Sequence, residues 1–556
     1  MFWFREHSDL MNTWLTFLKA MQGQTQQAPI SPFAMQDIFF KAFQAISKDP
    51  SFFVEAQQEL LNDLNEMYKE TSLPDKRFQH EAWSTDPYFI FIKEYYLTSS
   101  KWLRDVVSHV QGLDPDTKMK LEFYINQYID ATCPTNFPMT NPEVIEEFVK
   151  TKGISLEKGL AAYMDDLSTG HWMKMTDPAP FKLGSTLATT KGDVVYRNEI
   201  FELIHYTPLT DKQYSVPLLI IPPWINKYYI FDLSPHNSFV KWMLEQGYNV
   251  FMISWVNPDP SLASKNFEDY LLEGAYKACV EVAKYTGSSK INSMGYCIGG
   301  NLLTALGAYL AKAPAPFTLA SMTLIATIID FTKIGDLKIF LDDENLDYIE
   351  HDLALKGFLD PERLKSIFSM LRPKDLVWSF FIKNYLLGQM PPPFDFLYWN
   401  SDATRVPQAL HKDVLRKCFR ENLFMTPGGL QIKNVPIDMQ NIKTPTFFLS
   451  TIEDHIAPWK SSYPAVHQFK GPLEFVLAGS GHVVGVMNPP YRHKYGYFTN
   501  AGFPYSPEEW LEAAKKNEGS WWPFWDAWLK LLSGDKIKPK SGKSLGPAPG
   551  EYVKEV

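Results

Sequence analysis

A cysteine between two glycines is the feature of this sequence whose chemistry is most direct. Cys297 lies at the centre of the run Gly295-Tyr296-Cys297-Ile298-Gly299. A thiol becomes a strong nucleophile once it loses its proton, and it can then form a covalent thioester with an acyl group. The residue type at this position therefore predicts acyl chemistry, and it favours thioester substrates over the oxygen esters that a serine usually attacks.

The residues around Cys297 predict a strand, a sharp turn and a helix. Residues 291–296 have the pattern of a buried strand, and the Ala- and Leu-rich sequence from Asn301 onward predicts a helix. Such a turn holds its central residue at strained backbone angles, and larger side chains two positions away would collide, so Gly295 and Gly299 are the small residues that it requires. This is the nucleophile elbow of the α/β-hydrolase fold, with cysteine in place of serine.

Cys297 needs a nearby base, because a thiol with a pKa of about 8.5 is only a few per cent ionised at neutral pH. The dipole at the start of the following helix favours the thiolate. In this fold the catalytic residues follow the chain order nucleophile, acid, histidine. Asp454 follows one late predicted strand and His482 follows the last, where Gly479 and Gly481 allow the loop to turn. We expect Asp454 to orient His482 and His482 to deprotonate Cys297.

Other residues compete for some of these roles. Glu453 is the rival acid, and His455 is a rival base that adjoins Asp454 and is poorly placed to be oriented by it. The remaining cysteines lie in helical or extended contexts and are predicted to be inert. They are Cys133, Cys279 and Cys418.

Two backbone N–H groups are predicted to form an oxyanion hole. In this fold the first belongs to the residue after the nucleophile, which is Ile298 here. The second comes from the loop after the first buried strand, predicted at Val216–Ile221, and the candidate within Trp224–Asn226 is Ile225.

The elements that must position these residues fall into two regions. Residues 1–175 carry apolar residues at intervals of three and four, which predicts a mostly helical N-terminal domain. Residues 176–556 alternate strands with helices, which predicts an α/β-hydrolase catalytic domain with a parallel sheet. Residues from about 335 to 430 interrupt this alternation with helical sequence that contains Pro and Trp, and we predict an inserted lid there. The later strands are predicted at Tyr248–Trp255, Leu319–Thr327, Thr446–Ser450 and Leu473–Ala478.

Composition excludes several classes of function. With 54 basic and 63 acidic residues the net charge is −9, so nucleic acid is not expected as a partner. Four cysteines are too few and too scattered for a disulfide framework or a zinc cluster, and they fit a reducing compartment. No phosphate loop, dinucleotide fingerprint or metal-spaced cluster is present, so no metal and no cofactor is expected. The 16 tryptophans and 27 tyrosines predict an aromatic core or an apolar surface for substrate.

The sequence does not predict export or membrane insertion. The first residues place charges where a signal peptide needs an apolar run. The longest apolar stretches are far shorter than the roughly 20 residues that span a bilayer. We therefore expect a cytoplasmic protein without a membrane span.

Several longer motifs resemble those of the polyhydroxyalkanoate synthases, the acyltransferases that polymerise (R)-3-hydroxyacyl-CoA into storage polyester. The resemblance runs almost from end to end, and the length of the chain resembles the single-subunit class I type. The motifs that carry it are Pro134-Thr135-Asn136-Phe137-Pro138, Pro222-Pro223-Trp224-Ile225-Asn226-Lys227, Ser254-Trp255-Val256-Asn257-Pro258-Asp259, Gly295-Tyr296-Cys297-Ile298-Gly299-Gly300, Trp399-Asn400-Ser401-Asp402, Glu453-Asp454-His455-Ile456-Ala457-Pro458 and Gly479-Ser480-Gly481-His482.

The resemblance implies a specific reaction. Cys297 would carry the growing chain as a thioester, Asp454 and His482 would complete the site, and CoA would be released. The CoA thioester is the substrate, so no separate cofactor is implied, and the sequence assigns no residue to CoA binding. Short monomers such as 3-hydroxybutyryl-CoA are implied, with medium-length monomers as the alternative. A homodimer at the surface of cytoplasmic polyester granules is implied as well.

Two other functions compete with this one. A cysteine hydrolase of the same fold would cleave thioesters, lactones or polyester with the same three residues. It would have no need of the long helical N-terminal region. A non-catalytic granule-coat protein built on an inactive hydrolase is the second rival, and the intact set of Cys297, Asp454 and His482 argues against it.

Overall fold

The computed structural model divides the chain into two compact units. It describes residues 32–48, 50–66, 75–169, 173–540 and 542–555. The first unit consists of the described residues up to Asp177, together with Asp342–Tyr348 and Glu362–Pro392. The second unit consists of Pro178–Leu341, Ile349–Pro361 and the described residues from Pro393 onward. Residues of the predicted lid therefore occur in both units, and the predicted domain boundary and lid stay predictions.

The first unit is helical. Some of its helices begin where an acidic or amide side chain is followed by proline: Asp86 accepts a hydrogen bond from the backbone N–H of Tyr88, and Asn141 accepts one from that of Glu143. A cap of this kind satisfies a free N–H, and proline at the next position has no N–H to satisfy. The helices before residue 178 are Pro32–Lys48, Pro50–Glu66, Ala82–Thr85, Pro87–His109, Pro115–Ala131, Pro142–Thr151 and Ile154–Thr169, with a short 3₁₀ turn at Pro134–Asn136.

Polar contacts join residues 362–392 to these helices. Lys374 forms an ion pair with the buried Asp130 at 3.4 Å, and the Tyr385 hydroxyl donates to Asp166 at 2.7 Å. The helices of this segment are Pro361–Leu371, Lys374–Trp378 (π), Ser379–Phe381 and Ile382–Leu386 (π). The helix Asp343–Lys356 precedes them.

The second unit is built on a ten-stranded sheet. In chain order its strands are β1 Gly192–Arg197, β2 Phe201–Tyr206, β3 Leu218–Ile221, β4 Val250–Trp255, β5 Lys290–Tyr296, β6 Thr318–Ile325, β7 Thr446–Thr451, β8 Leu473–Ala478, β9 Tyr497–Thr499 and β10 Lys515–Asn517. Their order in the sheet is β1-β2-β4-β3-β5-β6-β7-β8-β9-β10. The six strands from β3 to β8 run parallel, and the pairs at both edges are antiparallel. The predicted α/β fold and every predicted strand are confirmed, with ends that differ by at most two residues.

The parallel strands bring the functional loops together. The carboxyl ends of neighbouring parallel strands lie at the same edge of a sheet, and in open α/β sheets ligands bind at that edge. The loops after β3, β5, β7 and β8 carry the predicted site residues. Strands β3, β4 and β7 are buried along their whole length, as expected for strands covered on both faces.

Helices and short elements complete the second unit. Ser234 followed by Pro235 predicts the start of a helix that Gly247 ends, and the predicted start is wrong. The helix is Phe239–Gln246, because Ser238 caps it by accepting a hydrogen bond from the Lys241 N–H, whereas the Ser234 hydroxyl donates to Asp395. The other helices are Phe267–Asp269, continued by a π-helix at Tyr270–Tyr276 and by Lys277–Thr286, then Ile298–Leu310, Asp395–Ser401, Gln408–Asp413, Val414–Arg420 (π), Trp459–Ser462, Ala465–Gln468, Pro507–Glu512 and Trp522–Lys530.

Tryptophans fill the core on one side of the sheet. Trp521, Trp522 and Trp525 are almost completely buried, and the Trp522 ring stacks on Phe239 at a centroid distance of 4.3 Å. The indole N–H of Trp525 donates to the Thr323 hydroxyl on β6 at 3.0 Å. For these residues the interpretation of the aromatic content as core is confirmed.

The polar C-terminal residues lie along the edge strand β1. The N–H of Leu545 donates to the Val194 carbonyl at 2.7 Å, and the N–H of Val194 donates to the Gly546 carbonyl at 2.8 Å. A covered edge strand no longer exposes its backbone groups for pairing with another chain. In the part of the chain that the structure describes, no helix has the length and apolar character needed to cross a bilayer.

Candidate active site

Cys297 lies in a strained turn between β5 and the helix Ile298–Leu310. Its backbone angles are φ 53° and ψ −124°, a conformation that non-glycine residues rarely adopt. Its N–H donates to the Ile325 carbonyl at the end of β6 at 2.8 Å, and its carbonyl accepts from the Gly300 N–H at 2.9 Å. The turn therefore has the strain predicted for a nucleophile elbow, and it presents the half-buried thiol at the start of a helix.

Glycines are required on both sides of the thiol. A Cβ atom at Gly295 would lie 2.6 Å from the Cα of Gly300, and one at Gly299 would lie 2.3 Å from the Ile221 carbonyl oxygen. The sequence predicted both requirements. It did not identify Gly300, where a Cβ would lie 1.9 Å from the Thr327 hydroxyl oxygen, although this glycine directly follows Gly299 in the sequence.

Asp454 has both carboxylate oxygens occupied. Oδ1 accepts hydrogen bonds from the backbone N–H groups of Ile456 at 2.9 Å and Ala457 at 2.8 Å. Oδ2 accepts from the Thr451 hydroxyl at 3.1 Å and contacts Nδ1 of His482 at 2.7 Å. The side chain is completely buried, so this carboxylate is fixed in place and faces His482.

His482 lies in the loop after β8. A Cβ at Gly479 would lie 1.9 Å from the Tyr495 carbonyl oxygen, so only glycine fits there. At Gly481 the nearest atom would be 3.6 Å away, so this position has room for a side chain. Between them Ser480 adopts a positive φ of 69° and turns the loop.

The neighbours of His482 raise the pKa of its imidazole. Burial by itself would lower the pKa of His482, but the Asp454 carboxylate and the Cys297 side chain, both hydrogen-bonding partners of the imidazole, raise it to about 10. An imidazolium beside a thiolate is the ion pair that activates a cysteine nucleophile. The three residues that the sequence predicted are therefore in contact in the order thiol, imidazole, carboxylate.

The rival residues lie outside this arrangement. Glu453 is exposed to solvent, and His455 lies in the half-buried turn beside Asp454, whose Oδ2 contacts His482 instead. The other three cysteines are buried, and burial raises the pKa of Cys279 and of Cys418 to about 12. Among the described residues, no three His, Cys, Asp or Glu side chains converge in a way that could hold a metal ion.

Tyr296 is a contact of His482 that the sequence analysis did not identify. Its hydroxyl donates to the backbone carbonyl of His482 at 3.1 Å, and its ring stacks on the imidazole at a centroid distance of 5.2 Å. Burial raises the pKa of Tyr296, so the hydroxyl keeps its proton and remains a donor. Its position next to Cys297 was the only signal in the sequence.

The two predicted oxyanion donors lie on either side of a close backbone contact. Ile298 is the first residue of the helix after Cys297, where an N–H group has no acceptor within the helix. The loop that carries Ile225 begins at the end of β3, and the Gly299 Cα faces the carbonyl oxygens of Ile221 and Pro222. This contact places the start of the loop directly against the elbow.

This chain matches two family models and is similar to solved structures. A family model described as poly-beta-hydroxybutyrate polymerase (PhaC) N-terminus matches residues 74–243, and one described as alpha/beta hydrolase fold matches residues 217–489. Among solved structures, a putative hydrolase from Agrobacterium vitis S4 covers 53% of this chain and 92% of its own, at 15% identity and a TM-score of 0.32.

Two curated relatives match over most of their length. A poly(3-hydroxyalkanoate) polymerase of Methylorubrum extorquens is 42% identical over 489 residues, covering 86% of this chain and 80% of that protein. A poly(3-hydroxyalkanoate) polymerase subunit PhaC of Cupriavidus necator is 37% identical over 564 residues, covering 98% of this chain and 95% of that protein. This chain belongs to the poly(3-hydroxyalkanoate) polymerase family, acyltransferases with an α/β-hydrolase fold.

Proposed function

We propose that this enzyme polymerises (R)-3-hydroxyacyl-CoA, with 3-hydroxybutyryl-CoA as the preferred monomer, through a thioester on Cys297. The observation that carries the proposal is the contact of Cys297 with His482 and of His482 with Asp454, on an elbow whose neighbouring residues admit no larger side chains. A cysteine in this position suits a thioester substrate, because exchange of one thioester for another is nearly balanced in free energy.

Loading begins with attack of the Cys297 thiolate on the carbonyl carbon of the CoA thioester. The carbonyl oxygen becomes an oxyanion, for which the N–H groups of Ile298 and Ile225 are the proposed donors. The carbon–sulfur bond to CoA then breaks. The proton on His482 neutralises the departing CoA thiolate, so the products are an acyl-Cys297 thioester, free CoA and a neutral imidazole.

Elongation requires removal of a proton from the 3-hydroxyl group of a monomer. Asp454 is poorly suited to this task, because its two oxygens already accept four hydrogen bonds and its side chain is completely buried. His482 is neutral after loading and is the group that contacts the reacting sulfur. We therefore assign the hydroxyl proton to His482 and leave to Asp454 the orientation of the imidazole. The alkoxide attacks an acyl thioester, an ester forms, and a thiolate is released.

The cellular setting is also part of the proposal. The names of the relatives support polyester as the product. A homodimer at the surface of cytoplasmic granules is implied by the family resemblance alone. No step above needs a metal or a redox group. The proposal therefore includes no cofactor.

The test is purified enzyme mixed with (R)-3-hydroxybutyryl-CoA, with free CoA and turbidity followed together. We expect CoA release with rising turbidity in the wild type, and loss of both in Cys297→Ala. Cys418→Ala is the matched control, because it removes a buried thiol elsewhere and should keep both signals. CoA release that yields only soluble 3-hydroxybutyrate would identify a thioesterase and overturn the proposal. Polymer from 3-hydroxydecanoyl-CoA alone would overturn the preference for short monomers.

A further inference from the structure

A separate part of the chain holds the loop after β3 by its backbone carbonyl groups. We call residues 222–227 the oxyanion loop and residues 399–404 the clamp segment, and both belong to the second unit. We propose that Thr404 in the clamp segment is a positioning residue, which fixes the direction of the Ile225 N–H. This inference rests on the proposed acyl transfer at Cys297.

Thr404 makes two hydrogen bonds to consecutive residues of the oxyanion loop. Its hydroxyl donates to the Trp224 carbonyl at 2.6 Å, and its backbone N–H donates to the Ile225 carbonyl at 3.2 Å. Ala403 pairs with Asn226 as an isolated antiparallel bridge. Thr404 itself is 2% exposed, so water does not compete with these bonds.

The hydrogen bond to Trp224 determines where the Ile225 N–H points. In a planar trans peptide the carbonyl of one residue and the N–H of the next point in opposite directions. A hydroxyl that holds the Trp224 carbonyl therefore directs the Ile225 N–H away from Thr404. Within the described residues this N–H donates no hydrogen bond, and Ile225 is half-buried. A donor fixed in advance and left free for substrate is what stabilisation of an oxyanion requires.

The oxyanion loop is anchored on both sides of this peptide. At its start the Pro222 carbonyl accepts from the Trp255 indole N–H at 2.9 Å. At its end the Lys227 carbonyl accepts from the Trp399 indole N–H at 2.7 Å, and the buried Lys227 ammonium pairs with Asp402 at 2.8 Å. Thr404 is thus the middle anchor of a loop whose two ends are held by other residues.

A small movement of this peptide should affect catalysis strongly. The end of β3 lies against the elbow at Gly299, so the position of the loop relative to Cys297 is set by direct backbone contact. A misplacement of about 1 Å can cost on the order of 10²-fold in rate. Loss of one anchor, with the others retained, should move the Ile225 N–H by less than about 1 Å and lower the rate by less than 10²-fold.

The experiment compares Thr404→Val with the wild type in steady-state CoA release over a range of (R)-3-hydroxybutyryl-CoA concentrations. Valine has the shape of threonine and keeps the backbone N–H, but it cannot donate to the Trp224 carbonyl. We expect kcat to fall about 10-fold with KM within about two-fold, because the lost interaction acts in the transition state. Thr404→Ser, which restores the hydroxyl, should recover most of the rate.

Two controls separate positioning from a structural role. Thr446→Val removes another buried hydroxyl bond, at 2.9 Å to the Thr444 carbonyl, at the opposite end of β7 from Asp454, and should leave kcat unchanged. The rate at which iodoacetamide alkylates Cys297 reports the thiolate, and we expect it to be the same in Thr404→Val and the wild type. Trp399→Phe removes the indole donor to Lys227 and supplies a second test if Thr404→Val does not fold.

Several outcomes would overturn the role of Thr404. The first is that Thr404→Val and Trp399→Phe have the same kcat as Thr446→Val. The second is that Thr404→Val changes KM alone. The third is that Thr404→Val lowers the rate of Cys297 alkylation as much as it lowers kcat. Absence of turnover in the wild type would instead overturn the proposed function, and this inference with it. The two failures are therefore distinct.

Discussion

The two sides of the candidate active site are built from contacts of very different range. On one side, Asp454 and His482 are 28 residues apart and follow the adjacent parallel strands β7 and β8. On the other side, Trp224 and Thr404 are 180 residues apart, and the second of them lies in sequence that interrupts the alternation of strands and helices. The order of the sheet brings the first pair together, whereas the second pair meets only because residues 399–404 pack against the loop after β3.

This difference separates two kinds of function. The Asp454 carboxylate raises the pKa of His482, and we propose that it acts on the reactivity of Cys297 through this histidine. On the other side, the proposed role of the Thr404 hydroxyl, which is uncharged, is to fix the direction of a backbone N–H. Substitutions on the first side should therefore change pKa values together with rates, and substitutions on the second side should change rates alone.

The largest effect is expected for Asp454→Asn. Loss of the charge and of the correct tautomer should lower kcat for CoA release by roughly 10³- to 10⁴-fold, as for other triads. The pKa of His482 should fall as well, because one of the two groups that raise it is lost. Glu453→Gln is the matched control, since it removes an exposed carboxylate one residue away and should change neither quantity. A large loss of kcat in Glu453→Gln with a small loss in Asp454→Asn would show that Glu453, and not Asp454, orients His482.

The second prediction compares two glycines of the site. Gly299→Ala places a Cβ 2.3 Å from the Ile221 carbonyl, so the elbow or β3 must move. We expect about 3 kcal/mol of lost stability and roughly 10²-fold lower kcat. Gly481→Ala should change kcat less than about three-fold, because its nearest new contact is at 3.6 Å. Thermal unfolding and CoA release measure both, and equal effects would mean that the short contact at Gly299 is relieved without cost.

The sequence predicted the side of the site that local patterns determine. Strand ends, turn glycines and the chain order of the fold were sufficient to place Cys297, Asp454 and His482 in contact. They were not sufficient for Thr404, because nothing in the spacing of residues 399–404 indicates which loop they meet. The early start predicted for the helix Phe239–Gln246 has a similar cause, since Ser234 is used for a distant contact with Asp395.

The third prediction ranks the pKa of His482 in the wild type and in two variants. The wild-type value of about 10 depends on both Asp454 and Cys297. In Cys297→Ala the pKa should be lower but still above the ordinary value of 6.5, because the carboxylate remains. In Cys297→Ala with Asp454→Asn it should fall below 6.5, because burial then acts alone. Histidine-labelled protein followed by NMR measures all three values.

The raised pKa of His482 in Cys297→Ala also predicts how the free energy of unfolding of this variant changes with pH. A raised pKa in the folded state contributes stability that is fully present below pH 6.5 and is lost as the pH rises through the folded value. Adding Asp454→Asn should remove this fall and reverse it, because the folded pKa is then depressed. Denaturant unfolding at several pH values measures the difference, and parallel curves for the two variants would contradict it.

The smallest effect is expected for Tyr296→Phe, which lies between the two sides. The change keeps the ring that stacks on His482 and removes the hydroxyl that donates to the His482 carbonyl. We expect kcat to fall about two- to five-fold, since a single neutral hydrogen bond contributes about 1 kcal/mol. Tyr463→Phe is the matched control, because it removes a buried hydroxyl that donates to the Pro504 carbonyl at 2.6 Å.

The pH dependence of these two variants decides what Tyr296 does. If Tyr296 holds the His482 loop in place, its loss should lower kcat at every pH and leave the pKa of His482 unchanged, since the Asp454 contact is intact. This is the pattern expected of the Thr404 side, although Tyr296 contacts the acid–histidine side. A shift in the pKa of His482 would instead show that position and charge are coupled there, and the division between the two sides would then apply only to the oxyanion loop.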